Sequence, residues 1–338
     1  MKNKNILITG GAGFIGHAVI EYLLKNSNYN IVSLDRLDCS SDLNRLGELI
    51  QENPKWRNRI RFVWHDLKSP VSNNTIEKIG RIHIVLHLAA GSHVTRSVKD
   101  PMSFVMDNVV GTCNILEFAR KFCTNLEMFL YFSTDEVFGP AKEGEIFHEN
   151  SRYNACNPYS ASKAGGEELC NAYYNTYNMP IITTHTMNVY GPKQHEEKFI
   201  PTIIDKIMND KILEVHTDKH KKIPARRSYL YSHDVGSAIL FLIENFKAGE
   251  KYNISSSYEL DGLSLAQKIS KIIGKNLKFI LSYPEKERPG NDFRYSVSGD
   301  KMLSMGWKQT FSIDEGLEGT VKWYLEKYWS ENENISNR

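Results

Sequence analysis

The 338-residue chain is 41% hydrophobic and 24% charged, and 42 Lys and Arg against 40 Asp and Glu leave a formal charge of +2. That composition belongs to a globular protein with surface enough for one large or two moderate domains. Balanced charge speaks against a nucleic-acid binder, which carries a large basic excess, and against an acidic disordered chain. No apolar run approaches the roughly 20 residues of a membrane helix, and Met1-Lys2-Asn3-Lys4-Asn5 leads straight into Ile6-Leu7-Ile8 without a signal-peptide apolar region. These features predict a cytoplasmic protein with no membrane partner.

Apolar runs and amphipathic stretches alternate along the first half. The pattern predicts strands over 6–9, 31–35, 60–65, 82–89, 126–133 and 181–188. Between them it predicts helices over 14–25, 43–51, 75–79, 101–122 and 158–177. Alternating β and α with continuously apolar strands implies a parallel sheet covered on both faces. Beyond 188 the rhythm changes, with helices over 198–209, 233–245, 263–273 and 313–327 mixed with short strands over 213–216, 252–255 and 278–281. The expected fold is α/β: a Rossmann-type doubly wound parallel sheet (1–188) and a smaller C-terminal α/β substrate-binding lobe (189–330), with a soft boundary, shared elements and a frayed tail at 331–338. Five cysteines, Cys39, Cys113, Cys123, Cys156 and Cys170, form no C-x-x-C pair, so neither a disulfide framework nor a metal site is expected.

A parallel sheet of this kind binds ligands beyond the carboxyl ends of its strands. Gly10, Gly13 and Gly16 follow the first strand in G-x-x-G-x-x-G spacing, with Phe14 and Ile15 opening the helix. Glycine permits the tight turn and close backbone approach to a pyrophosphate, and the helix N-terminus adds partial positive charge. Asp35 ends the second strand 19 residues beyond Gly16, where a carboxylate accepts bonds from an adenosine ribose. The carboxylate would repel a 2′-phosphate and so favours NAD; Arg36 beside it is the one feature that would tolerate NADP. Asp66 and Leu67, after the third strand, are candidates to flank the adenine.

Tyr159 and Lys163 stand at i and i+4 at the start of a long helix, on one face. An ammonium beside a phenol lowers the phenol pKa, and an oxidised nicotinamide adds to the effect. The phenolate then takes a hydroxyl proton while a hydride leaves the same carbon. Ser133-Thr134-Asp135-Glu136 ends the fifth strand at the same sheet edge. Thr134 is placed to bond the reacting hydroxyl. Of the adjacent acids, one can protonate a leaving hydroxyl while the other removes a proton from the neighbouring carbon; the plain alternative is that Asp135 caps the following turn.

From about Lys4 to Tyr328 the chain resembles the extended short-chain dehydrogenase/reductases, and among them the nucleotide-sugar 4,6-dehydratases of the dTDP-glucose type. The likeness is carried by Gly-Gly-Ala-Gly-Phe-Ile-Gly at 10–16, Leu-Ala-Ala at 88–90, Ser-His-Val-Thr-Arg-Ser at 92–97, Asn-Val-Val-Gly-Thr at 108–112 and Ser-Thr-Asp-Glu-Val-Phe-Gly at 133–139. Tyr159 with Lys163, Asn-Val-Tyr-Gly-Pro at 188–192, Glu-Lys-Phe-Ile-Pro at 197–201 and Arg-Pro-Gly-Asn-Asp at 288–292 complete it. The resemblance implies C4 oxidation by tightly bound NAD with Tyr159 taking the O4 proton. Glu136 would then remove the C5 proton, Asp135 protonate the departing C6 oxygen, and the hydride return to C6. It places Ala89 against the cofactor, His93, Arg96 and Glu197 against the substrate, and Asn188, Lys198, Arg227 and Arg288 against the pyrophosphate. Asn291 and Tyr295 would lie near the base and the diphosphate.

The chain departs from that pattern at Gly91 and Thr95, where relatives carry Glu and Asp, and over 217–226, a few residues longer than the usual turn. Gly91 suggests room for a bulkier sugar, so UDP-glucose or UDP-N-acetylglucosamine stands beside dTDP-glucose as the expected substrate. A 4-epimerase is the competing activity, and an NAD-binding regulator the non-enzymatic one. Apolar positions Phe104, Val105, Val109, Cys113, Leu116 and Phe118, with Asn108 among them, and Leu169, Cys170, Tyr173 and Tyr174 on the second long helix exceed what one sheet covers. Family members pair these helices, which implies a homodimer through a four-helix bundle.

Overall fold

The computed structural model describes residues 4–220, 222–256, 258–283 and 293–336, with side chains through 328. In chain order the first half runs β1 (Asn5–Thr9), α1 (Phe14–Asn26), β2 (Asn30–Asp35), α2 (Asn44–Glu52), β3 (Ile60–Trp64), α3 (Asn73–Ile79), β4 (Ile84–His87), α4 (Val94–Lys99), α5 (Pro101–Val105), α6 (Gly111–Phe122), β5 (Met128–Thr134), α7 (Pro158–Tyr177) and β6 (Ile181–Thr186). The second half runs β7 (Asn188–Tyr190), α8 (Phe199–Met208), β8 (Leu213–His216), β9 (Arg226–Tyr231), α9 (Ser232–Asn245), β10 (Lys251–Ile254), β11 (Glu259–Asp261), α10 (Gly262–Ile273), β12 (Phe279–Ser282), α11 (Asp300–Met305) and α12 (Ile313–Ser336). The residues expected to fray from 331 are thus helical as far as Ser336.

The main sheet has seven parallel strands in the order β3-β2-β1-β4-β5-β6-β10. Every residue of β5 and β6 is buried, the signature of strands covered on both faces. The order reverses between β1 and β4, and the crevice a ligand enters opens there. Two smaller sheets, β11-β9-β7 and β12-β8, build the second lobe around Ile200, Ile203, Leu265 and Leu317.

Three elements differ from expectation for physical reasons. The helix predicted over 101–122 is interrupted by a π turn, Met106–Val110, whose extra residue turns Asn108 inward. The strand predicted over 181–188 is two strands: β7 leaves the main sheet to pair with β9. The strand predicted near 252–255 belongs to the main sheet as β10 rather than to the second lobe. Its Tyr252 and Ile254 join Val235, Ile239 and Leu242 of α9 in one apolar core with Ile6, Ile20 and Leu23. The chain beyond 188 therefore completes the first domain as well as building the second. Among the described residues no helix is long and apolar enough to cross a membrane, and no group of His, Cys, Asp or Glu is arranged to hold a metal ion.

The tightest joint between the halves is Gly236 of α9, where a Cβ would stand 2.4 Å from the Cβ of Tyr22 on α1. Gly236→Ala is expected to cost about 1–3 kcal/mol through overpacking. It should lower the midpoint of the single thermal transition; an unchanged midpoint would mean the two helices do not meet at this distance.

Candidate active site

The crevice is a cavity of about 960 Å³ lined from both lobes, at the top of the roughly 300–1,000 Å³ range of small-molecule sites. One end is built by the glycine turn. Gly10 holds φ at +71°, and a Cβ there would lie 2.9 Å from the backbone of Ala89; a Cβ on Gly16 would lie 2.1 Å from the Gly10 carbonyl oxygen. Only glycine lets the β1–α1 turn close against β4 and α1 at these points. Gly13 begins α1 without a side-chain cap, so the first N–H groups of the helix are left for a ligand. Gly10, Gly13, Phe14, Ile15, Gly16, Asp35, Asp66, Leu67 and Ala89 all line this end.

A buried chain of hydrogen bonds fixes Ala89. Its N–H donates to Thr9 Oγ1 at 3.1 Å, Thr9 meets His87 Nδ1 at 2.7 Å, His87 Nε2 meets Thr112 Oγ1 at 3.0 Å, and Thr112 donates to the Asn108 carbonyl at 2.6 Å. Burial pushes the His87 imidazole down to about 3, so it stays neutral. The hydrogen supply then fixes it as accepting at Nδ1 and donating at Nε2. Asn108 continues inward, donating to Ser162 Oγ at 2.8 Å and holding both backbone groups of Gly91.

Asp35 accepts from the N–H groups of Ala12 (3.1 Å) and Leu37 (2.8 Å) and from Ser41 Oγ (3.0 Å), which holds its carboxylate facing the cavity. Arg36 is not free for a phosphate: its guanidinium grips Asp107 with both terminal nitrogens and Asp38 with one. A dinucleotide without a 2′-phosphate suits this end.

Thr134, Asp135, Glu136, Tyr159 and Lys163 converge on the same cavity. Thr134, rather than Asp135, caps the 3-10 turn Asp135–Phe138, accepting from Glu136 N–H. Thr134 also donates to Asp135 Oδ1 at 3.2 Å and shares a hydrogen bond with the Tyr159 phenol. Burial, reinforced by the Glu136 charge, pushes the Asp135 carboxyl up to about 7, with Arg227 and Thr134 opposing. Glu136 instead has donors: Asn157 Nδ2 at 3.1 Å and Tyr295 OH at 3.4 Å. Asn157 is also the cap of α7, in a reciprocal capping box with Ser160 and ahead of Pro158. One side chain thus sets the start of the catalytic helix and anchors the acid beside it.

One expectation about this end needs correction. Lys163 does not lower the Tyr159 pKa in the unliganded site. Its Nζ donates to the Phe132 carbonyl at 2.6 Å and lies over the Tyr131 ring. The phenol is raised by burial and by Glu136, while burial brings Lys163 down to about 8, opposed by Glu167 one helical turn on. Tyr295 lines the cavity and reaches Glu136; Arg294, bridged to Arg226 and paired with Glu259, pins that segment beside β9.

Among the expected substrate contacts, His93, Asn188, Glu197, Lys198, Arg227 and Tyr295 line the cavity, while Arg96 does not. Arg96 is turned aside into a 2.6 Å pair with Glu197 and a contact with Cys39 Sγ. Arg227 stacks on Tyr295 and donates to the Phe293 carbonyl at 3.0 Å. Arg288 and Asn291 lie outside the described residues. The long segment after β8 closes through a Thr217–Pro224 bridge and returns Ala225 to the wall beside His216. At Gly91 a Cβ would meet the Phe104 ring at 3.1 Å and Asp107 Oδ2 at 3.4 Å. Of the helix residues expected to pair subunits, Phe104, Asn108, Leu116, Phe118 and Cys170 are buried within the protomer itself. Asn157, Asn108, His87 and the Asp107 grip on Arg36 were missed; Asn157 alone had a local signal, standing before Pro158 with Ser160 three residues on.

The family model for GDP-mannose 4,6-dehydratase matches residues 7–320. The chain is 36% identical to dTDP-D-glucose 4,6-dehydratase of Dictyostelium discoideum, covering 100% of this chain and 88% of that one. It is 37% identical to the trifunctional UDP-glucose 4,6-dehydratase/3,5-epimerase/reductase of Arabidopsis thaliana, covering 98% of this chain and spanning 49% of that relative. The solved dTDP-glucose 4,6-dehydratase DesIV of Streptomyces venezuelae, with NAD and TYD bound, matches with a TM-score of 0.84 at 29% identity over 96% of this chain and 98% of its own. Solved UDP-sugar 4-epimerases match with TM-scores of 0.82–0.83, so the fold alone does not separate the two activities.

A raised carboxyl pKa has a stability consequence. Below about pH 4 both folded and unfolded Asp135 carry the proton. Between there and about 7 only the folded form does, so stability falls as pH rises. Asp135→Asn keeps the neutral form. It should match the parent at pH 4 and exceed it at pH 8 by on the order of 2–4 kcal/mol in denaturant unfolding; equal gains at both pH values would contradict the raised pKa.

Proposed function

Because the chain belongs to the GDP-mannose 4,6-dehydratase family of extended short-chain dehydrogenases, and is an NAD-dependent hydro-lyase of nucleotide sugars, we propose that it converts dTDP-glucose or UDP-glucose to the 4-keto-6-deoxy sugar nucleotide. The observation that carries this reading is one cavity holding Thr134 and Tyr159 beside two acids in different surroundings, Asp135 raised by burial to about 7 and Glu136 accepting from Asn157 and Tyr295. Bound NAD supplies a reversible two-electron acceptor and, when oxidised, a positive charge near the phenol. Gly10, Gly13, Phe14, Ile15, Gly16, Asp35, Asp66, Leu67 and Ala89 are the residues to hold it.

Thr134 orients the C4 hydroxyl and Tyr159 takes its proton. Lys163, mostly protonated at neutral pH, is the cation within reach of that end once its bond to the Phe132 carbonyl is exchanged. A ketone at C4 acidifies the C5 proton. Glu136, held by Asn157 and Tyr295, removes it, and Asp135, whose carboxyl burial raises to about 7, hands its proton to the C6 hydroxyl, which leaves as water. Glu136 then returns the proton to C5. His93, Asn188, Glu197, Lys198 and Arg227 bind the sugar and diphosphate, with guanidinium and ammonium groups matched to phosphate oxygens. A 4-epimerase needs no acid–base pair at C5 and C6, which favours the dehydratase.

For assembly, exposed Met102, Val105, Phe122 and Tyr177 beside half-buried Cys113 and Tyr173 form an apolar face on α5, α6 and α7 that supports a homodimer through these helices. Sedimentation should give twice the protomer mass; a monomer at micromolar concentration would contradict it.

Incubation with UDP-glucose and dTDP-glucose in D₂O should give a product that has lost one water and carries one deuterium at C5. Asp135→Asn should lower kcat about 10²–10⁴-fold while leaving C4 oxidation detectable as cofactor absorbance, and Tyr159→Phe should abolish both. Turnover without loss of water, inverted at C4, would establish the epimerase instead.

A further inference from the structure

The cavity corner at the end of β2 holds more charge than one ribose-binding carboxylate requires. Asp35, Asp38, Asp66 and Asp107 line it with Arg36 and Lys68, four carboxylates against two cations. Arg36 directly follows Asp35 and is the residue type that elsewhere accepts a 2′-phosphate at this place in the fold. Its fork is fully used. Nη1 and Nη2 each donate to one oxygen of Asp107, the second at 2.9 Å; Nη2 also donates to Asp38 at 3.0 Å, and Nη1 lies 3.6 Å from Asp66. The Lys68 ammonium faces the same Asp107 from 3.4 Å.

Asp107 arrives from another part of the chain, and its place is fixed there. It sits in the π turn beside Asn108, whose side chain is locked to Gly91 and Ser162. Its own side chain is only 9% exposed. A bidentate carboxylate and a phosphate compete for the same guanidinium face. In a partly buried corner the competition is decided by the partner already in place.

We propose that Asp107 sets the cofactor preference of this enzyme: by engaging Arg36 and Lys68 it withholds both cations from a 2′-phosphate and adds its own repulsion. NAD is retained and NADP refused. The inference rests on reading Asp35 as the ribose-binding carboxylate. Removing the Asp107 charge changes the corner from two net negative charges to one and releases the guanidinium from its bidentate partner, leaving the single bond to Asp38. Asp35 remains, so the change is a relaxation of preference rather than its reversal.

The test uses the full chain purified with its bound nucleotide. Dinucleotide released by denaturation is quantified by mass spectrometry as the ratio of NADP(H) to NAD(H), for the parent, Asp107→Asn and Asp107→Ser expressed in one host. The parent should hold NAD almost alone. Both variants should raise the ratio at least tenfold, and Arg36→Ala placed in the Asp107→Asn background should erase the gain. Folded, NAD-loaded variants with the parental ratio would overturn the proposal, and a gain that survives Arg36→Ala would overturn its route through Arg36. A parent that carries no dinucleotide would instead overturn the underlying reading of the cofactor end, and the proposal with it.

Discussion

The site depends on the unequal solvation of two neighbouring carboxylates. Asp135 and Glu136 leave the end of β5 on a 3-10 turn, which sends consecutive side chains in different directions. Asp135 goes inward, where the Thr134 hydroxyl is its side-chain donor, and burial raises its carboxyl to about 7. Glu136 finds the amide of Asn157 and the phenol of Tyr295. Two groups of the same chemistry thereby sit in different environments, one raised by burial and one held by two donors, the arrangement that lets acid and base act in a single elimination. Burial and the Glu136 charge raise the Tyr159 phenol, so the unliganded site rests with Tyr159 protonated, and positive charge must arrive before the tyrosine can act as a base.

Some of that charge is built into the scaffold behind the site. Lys163 is fully buried, and the nearest acid opposing its loss of charge is Glu167, one turn further along α7. Glu167 is itself enclosed by Ser133, Tyr153 and His185, with Lys251 of β10 3.8 Å away. His185 is tied on its other nitrogen to Asn253, also on β10. The strand contributed by the second half of the chain is therefore more than an extra edge on the sheet. It closes the polar cluster that keeps a buried carboxylate ionised next to the catalytic lysine. This accounts for a lobe boundary that does not follow the chain: the catalytic helix needs support from both halves.

What could be read from the sequence was what local geometry encodes. Gly10, Gly13 and Gly16 sit within one turn, Tyr159 and Lys163 within one helical turn, and Asp135 and Glu136 are adjacent, so spacing alone placed each group at the sheet edge. Partnerships between distant segments were not legible. Tyr295 meets Glu136 from 159 residues away, and Arg36 meets Asp107 across 71. Nothing in either neighbourhood announces the other. The direction of a side chain was equally hidden: Gly91 lies in a motif at the cavity wall, yet its missing Cβ would face Phe104. The π turn could not be read because its cause, the inward anchoring of Asn108 to Gly91 and Ser162, is tertiary.

Fold likeness extends almost equally to dehydratases and 4-epimerases, so the choice between them rests on what this cavity maintains at a cost. A carboxyl buried with one weak donor destabilises the folded chain at every pH where it would ionise in water, and an amide or a leucine in its place would relieve that cost. Oxidation and return at C4 alone requires only Thr134, Tyr159 and Lys163. Expelling a hydroxyl from C6 requires in addition a proton donor that is still loaded near pH 7, and an ordinary solvated aspartate has lost its proton long before that. Burial is what supplies such a donor, and the strain it places on the fold is intelligible if elimination of water is the reaction being served.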